Sequence, residues 1–153
     1  MSTAPIILTQ KLKTPPAKID FSLPLTAEQR QKTRQRIEHH DGQIAQIIHF
    51  QLPRGTHIHP QNYFQNDDQT ITIQVIAKAE TVITVRSPEP LKLLKAAYHL
   101  GNRHVPLEVQ TEYLRFAPDH VLEEMIQKLG VETIEEEAPF FPEEGAYGGH
   151  HHD

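Results

Sequence analysis

A chain of 153 residues with net charge −5, no cysteine and no tryptophan has room for one domain or two small ones. Without cysteine there are no disulfides, thiolate metal sites or cysteine nucleophiles, and the acidic balance argues against nucleic-acid binding. No run approaches the ~20 apolar residues of a membrane span, and the N-terminus lacks the apolar core of a signal peptide, so a cytoplasmic protein with no membrane partner is expected.

In chain order, residues 1–25 are rich in Pro and Thr, with Ile6-Ile7-Leu8 as a first short strand and Pro15-Pro16 and Pro24 as breakers. Thr26-Ala27-Glu28-Gln29 can start a helix with Thr26 as its cap, while Lys32 to Ile37 reads equally as an exposed strand. Asp41-Gly42 is a hairpin turn signal. Gln43 to Leu52 follows as a strand, Pro53-Arg54-Gly55 and Asn66-Asp67-Asp68 as turns. Ile71, Ile73 and Val75 alternate with Thr72, Gln74 and Ile76, the pattern of a half-buried strand. The first half is therefore expected to be all-β.

The pattern changes near Ala77-Lys78-Ala79. Thr81 to Val85 is a strand. Ser87 can cap a helix with Pro88 at its first position, and Leu91, Leu94, Ala97 and Tyr98 form an apolar stripe that is expected to be buried. Gly101 is the residue type that ends a helix in a left-handed cap, and Pro106 forces extended chain before it. Pro106 to Gln110 and Glu112 to Phe116 read as strands. Pro118 opens a second helix with Val121, Leu122, Met125 and Leu129 on one face and Gly130 at its end, and Val131 to Glu136 is a last strand. The order β-α-β-β-α-β is the ferredoxin-like arrangement. From Ala138 onward Pro, Glu, Gly and His dominate, and the reading is a mobile tail. The fold class is thus α+β: residues 1–77 an all-β domain, residues 78–139 a ferredoxin-like βαββαβ domain, residues 140–153 a flexible His-containing tail.

Tyr98-His99-Leu100-Gly101-Asn102-Arg103-His104-Val105-Pro106-Leu107, with Leu114-Arg115-Phe116 and Asp119-His120-Val121-Leu122, resembles the UreE family of urease accessory nickel metallochaperones. So does Ala138-Pro139-Phe140, Pro142-Glu143 and Gly145-Ala146-Tyr147 before the His-bearing end. The likeness continues more loosely through Leu52-Pro53-Arg54-Gly55. It favours the strand reading of Lys32 to Ile37. It implies a homodimer with a His104 pair at the interface, tail histidines as added ligands, and the urease apoprotein and its accessory GTPase as partners of the β half.

Imidazole suits Ni²⁺, and equally Zn²⁺ and Cu²⁺. The candidate ligands are His104, on the short connector after the first helix, and His150, His151 and His152 behind the Gly148-Gly149 hinge. His120 is a weaker candidate, because some family members carry another His two residues earlier and here that position is Pro118. His99 reads as buried and structural. His57-Ile58-His59 reads as two solvated rings near a turn, with a copper or nickel pair on one strand face as the alternative. His39-His40 reads as a solvated turn. There is no Gly-rich phosphate loop, His-Glu-x-x-His or Gly-x-Ser-x-Gly, so no enzyme is expected. The expectation is a cytoplasmic nickel metallochaperone for urease maturation. The alternatives are a general Zn/Cu/Ni buffer, which would form no complex with a maturation GTPase, and a metal-dependent hydrolase, which would need an open coordination position.

Overall fold

The computed structural model describes residues 4–144. The chain divides between Lys78 and Ala79 into two compact units.

The first unit is a six-stranded sheet built from β1 (Ile6–Lys11), β2 (Phe21–Leu25), β3 (Arg34–Asp41), β4 (Ile44–Gln51), β5 (Tyr63–Asn66) and β6 (Thr72–Ala77). The order across the sheet is β2-β6-β5-β1-β4-β3. The β1–β4 and β2–β6 pairs are parallel and the rest antiparallel. Although β2 and β3 are the two edges, Phe21 of β2 stacks on His39 of β3 with ring centroids 5.2 Å apart, so the sheet rolls until its edges meet. Leu8, Leu23, Ile48, Phe50, Phe64, Ile73 and Val75 fill the interior.

Several expectations are corrected in this unit. Pro24 does not break an element: it lies inside β2, an edge strand, where a residue without an N–H is tolerated. The stretch after Thr26 is helix and strand in succession. Thr26 and Gln29 bond reciprocally, side chain to backbone, as a capping box, yet only one 3-10 turn follows, Gln29–Gln31, before β3 begins. His39 and His40 sit in β3, paired with Gln46 and Ala45, and are not a turn. The turn itself falls one residue later than expected. Asp41 pairs Ile44, leaving Gly42 and Gln43 as the loop, and only Gly42 takes positive φ (67°), the signature of a hairpin with Gly at the first central position. The short β5 has no detectable alternation in four residues and carried no sequence signal.

The second unit is β7 (Ala79–Arg86), α1 (Pro90–Asn102), β8 (Glu108–Val109), β9 (Leu114–Phe116), α2 (His120–Gln127) and β10 (Glu132–Pro139). The element order matches the expected β-α-β-β-α-β, and the sheet runs β10-β7-β9-β8 with all pairs antiparallel. Ile83, Val85, Leu114 and Phe116 of the sheet form one core with Leu93, Ala96 and Leu100 of α1 and Leu122 and Ile126 of α2.

The start of α1 is also corrected. Pro90 disfavours helical geometry at the residue before it, so Glu89 is extended (φ −103°, ψ 108°) and becomes the cap, with Pro90 at the first turn. Ser87 accepts a hydrogen bond from the Glu89 N–H without capping the helix itself. In the same way α2 starts two residues after Pro118, capped by Asp119, whose carboxylate accepts from the Leu122 N–H at 3.1 Å. The segment after β10, expected to be mobile from Ala138, is held at its beginning. Ala138 and Phe140 are buried, and the Phe141 and Glu143 N–H groups donate to the Glu108 Oε1 and the Leu107 carbonyl.

Candidate metal centre

The end of α1 differs from the sequence expectation in a way that bears on the site. Gly101 is helical, and α1 runs on to Asn102. The left-handed residue is His104 itself, with φ 59°. Arg103 is the cap, and the His104 N–H donates back to the Gly101 carbonyl at 3.0 Å. A residue with a Cβ in this region is strained by about 1–2 kcal/mol, although His is among the types found there more often. Such strain is kept where the surrounding structure holds it, typically at functional sites. Pro106 and buried Leu107 pin the chain on the far side, while His104 is exposed. The geometry places His104, an exposed residue, immediately after the end of α1.

The helix leading to it carries two apolar stripes. Leu93, Ala96 and Leu100, at 9, 0 and 0 % exposure, face the sheet. Leu91, Leu94 and Tyr98 stand at 61, 66 and 68 % exposure. Those three were expected to be the buried stripe, and the correction is complete for all of them; only Ala97 of that set packs partly against the core. Both sets have the same i, i+3, i+7 spacing, so periodicity alone could not choose between them. On α2 the same happens to Val121, which is exposed, while Ile126 takes the buried place beside Leu122.

His99 is half-buried, not buried, and meets the Tyr98 ring edge-on at 5.1 Å. His120 is the first residue of α2, exposed, beside the cap Asp119 whose carboxylate is engaged by the Leu122 N–H. In the first unit, His57 and His59 are both exposed on either side of buried Ile58, with rings near-parallel and centroids 5.9 Å apart. They share one side as expected, in a loop and not a strand. Among the described residues no three His, Asp or Glu side chains group around a common point. His104 and His120 are therefore not brought together with a third donor within one protomer. His150, His151 and His152 lie outside the described residues.

The face of the second sheet away from the helices holds a polar network. Thr84 donates its hydroxyl to Glu136 Oε2 and accepts from Arg115 Nε at 3.0 Å. The Arg115 guanidinium lies 4.4 Å from the Tyr113 ring centroid and 3.5 Å from Glu136. The Thr84 hydrogen bond first, and the Arg115 charge after it, hold the Glu136 carboxyl below the usual carboxylate range. Glu108 is buried on the same sheet, with Gln110 Nε2 and the Tyr113 hydroxyl donating to its Oε2. Sequence reading missed this residue; its signal was a carboxylate between Leu107 and Val109 in a period-two segment.

Residues 6–77 match the family model of the N-terminal domain of the UreE urease accessory protein, and residues 80–153 match that of its C-terminal domain. The urease accessory protein UreE of Nostoc punctiforme is 48 % identical over 136 residues, covering 89 % of this chain and 90 % of that one. Its counterpart in Microcystis aeruginosa is 50 % identical over 139 residues, 91 % of this chain and 85 % of that one. That in Thermosynechococcus vestitus is 42 % identical over 144 residues, 94 % and 98 % of the two chains. The chain belongs to the UreE family of urease accessory proteins.

Proposed function

We propose that the protein is a homodimeric nickel metallochaperone of urease maturation, with Ni²⁺ as its cargo. His104 from two protomers supplies the primary ligands, and His150, His151 and His152 add donors that capture the ion and hand it on. The observation that carries this reading is the exposed stripe Leu91-Leu94-Tyr98 on the same helix that ends at exposed His104. An apolar surface of this kind favours pairing with a second copy. A two-fold axis near the end of α1 would bring the two His104 rings together, because in such an interface each residue meets its own counterpart's surroundings.

The names of the relatives support urease maturation as the process and an accessory, non-catalytic role. In this reading residues 78–139 form the ferredoxin-like metal-binding and dimerising domain, residues 140–153 the ligand-bearing arm, and residues 1–77 the surface for the urease apoprotein and its accessory GTPase. His120 is an auxiliary donor. The site also takes Zn²⁺ or Cu²⁺, since imidazole ligands do not discriminate strongly and Cu²⁺ outcompetes Ni²⁺ at most nitrogen sites. Selectivity then rests on the partners and on metal supply in the cytoplasm.

The test is His104→Ala, followed by Ni²⁺ titration calorimetry beside light scattering. The dimer should persist and the tightest site should vanish, because one substitution removes a ligand from each protomer. Weaker binding by the arm should remain, and removal of residues 148–153 should abolish it. An unchanged tight site in His104→Ala would move the metal elsewhere, with His57 and His59 the next place to look. A metal-dependent complex with the maturation GTPase separates a carrier from a buffer.

A further inference from the structure

His57 and His59 take no part in the His104 centre. They stand exposed on either side of Ile58, which is 4 % exposed and packs in the core of the first unit. Ile58 thus pins the middle of the pair, and hydrogen bonds hold the chain on both sides of it. Lys11 Nζ donates to the His57 carbonyl at 3.0 Å. The His59 N–H donates to Asn62 Oδ1 at 2.9 Å, and the Asn62 N–H donates back to the His59 carbonyl at 3.1 Å. β6 fastens the same loop: the Gln61 N–H donates to the Val75 carbonyl at 2.7 Å, and the Val75 N–H to the Asn62 carbonyl at 2.9 Å. Gln61 is held at φ 80°, a left-handed conformation that a residue with a Cβ keeps only where its surroundings impose it. The backbone carrying the two rings is therefore ordered before any ligand arrives, which lowers the entropy lost on binding.

We propose that His57 and His59 chelate one divalent transition-metal ion at an open site in the first unit, separate from the His104 centre. The two ring centroids are 5.9 Å apart and the planes 26° from parallel. Imidazole nitrogen binds such ions at about 2.0–2.1 Å, so two rings that share an ion have centroids up to about 6.5 Å apart. The observed spacing is inside that limit, and turning two exposed side chains about their own bonds aims one nitrogen of each at a common point. Among the described residues no His, Asp or Glu makes a third member of the group. Two protein donors leave the remaining positions to water, so the ion is held weakly and an incoming ligand can replace the water. Nitrogen donors bind Cu²⁺ more tightly than Ni²⁺ or Zn²⁺, and Cu²⁺ is the ion this pair takes best. Once one ring holds the ion, the second meets it at a high effective concentration. The pair therefore binds more tightly than two separate imidazoles, and each ring is needed for that gain.

The test is a Cu²⁺ titration of the full chain carrying His104→Gln, His150→Gln, His151→Gln and His152→Gln, which silences the other proposed donors. His57→Gln and His59→Gln are then added singly and together. Both residues are exposed, so the fold should be unaffected, and circular dichroism checks this. The background chain should take up Cu²⁺ with two nitrogen ligands in its electron paramagnetic resonance spectrum. Either single substitution should weaken that ion by about tenfold or more, and the double substitution should add little to the loss. Ni²⁺ should occupy the same pair more weakly. Cu²⁺ affinity unchanged by either substitution would overturn the site. Two small losses that simply add would also overturn it, since they describe two separate surface rings. Because the background lacks His104, failure here leaves the His104 centre untouched, and the His104→Ala titration decides that centre by itself.

Discussion

On α1, Leu93-Ala96-Leu100 and Leu91-Leu94-Tyr98 have the same spacing and nearly the same residue types, yet one stripe is core and the other is surface. The difference does not come from the helix. It comes from where the chain enters it: Glu89 is extended before Pro90, and β7 and β8 fix the two ends against the sheet. A helix with two apolar stripes has more apolar surface than its own unit can bury. What remains outside is available to another molecule, and the inner and outer stripes should respond to mutation in opposite ways.

The largest effect is expected at the inner stripe. Leu100 is fully buried between the helices and the sheet, so Leu100→Ala should cost the second unit about 2–5 kcal/mol through lost burial and a residual cavity. Urea denaturation would measure it. A cost below about 1 kcal/mol would mean that α1 is not packed as described.

Leu94→Glu should do the reverse. The side chain is exposed within one chain, so its stability should stay within about 0.5 kcal/mol, while light scattering should show the proposed dimer dissociating into monomers. A dimer that survives Leu94→Glu would separate this stripe from the interface and remove the main support for pairing two His104 rings.

At the end of the helix the effect is smaller and has a diagnostic sign. His104 holds φ 59°, and an Ala there keeps the strain while a Gly does not. His104→Gly should be more stable than His104→Ala by about 1 kcal/mol, with both lacking the tight metal site. Equal stability of the two variants would indicate that the residue is not left-handed in solution.

The order of elements in the second unit was legible because helix and strand periods alternate and Gly130 and the prolines punctuate them. The helix faces were not, because two stripes of equal spacing carry no information about which one meets a sheet. The left-handed position of His104 was hidden for a related reason: Gly101 is the better left-handed residue type, but the helix passes through it to Asn102 and is capped by Arg103. His104 itself could be singled out from its sequence neighbourhood, whereas Glu108 could not, since its partner Phe141 lies 33 residues away. In the first unit, β5 and the strand around Pro24 depend on pairing with neighbours rather than on local preference.

The smallest effect concerns the sheet face that neither stripe touches. Glu136 is held below the usual carboxylate range, by the Thr84 hydroxyl first and by Arg115 after it. A carboxyl whose value is lowered on folding stabilises the folded state at pH above its unfolded value, and that contribution is lost as pH falls through the lowered one. The parent should therefore lose its advantage over Glu136→Gln as the pH drops below the ordinary carboxylate range, with the two nearly equal at the acid end. The group is open to solvent, so the difference is small and salt will reduce it. Denaturation midpoints for both proteins at neutral and acid pH would record it. The same difference should appear in a Leu94→Glu background, because Glu136 lies on the sheet and makes its contacts with Thr84 and Arg115, away from the outer stripe. A Glu136 effect that disappeared along with the proposed dimer would mean that the helix-free face takes part in the pairing.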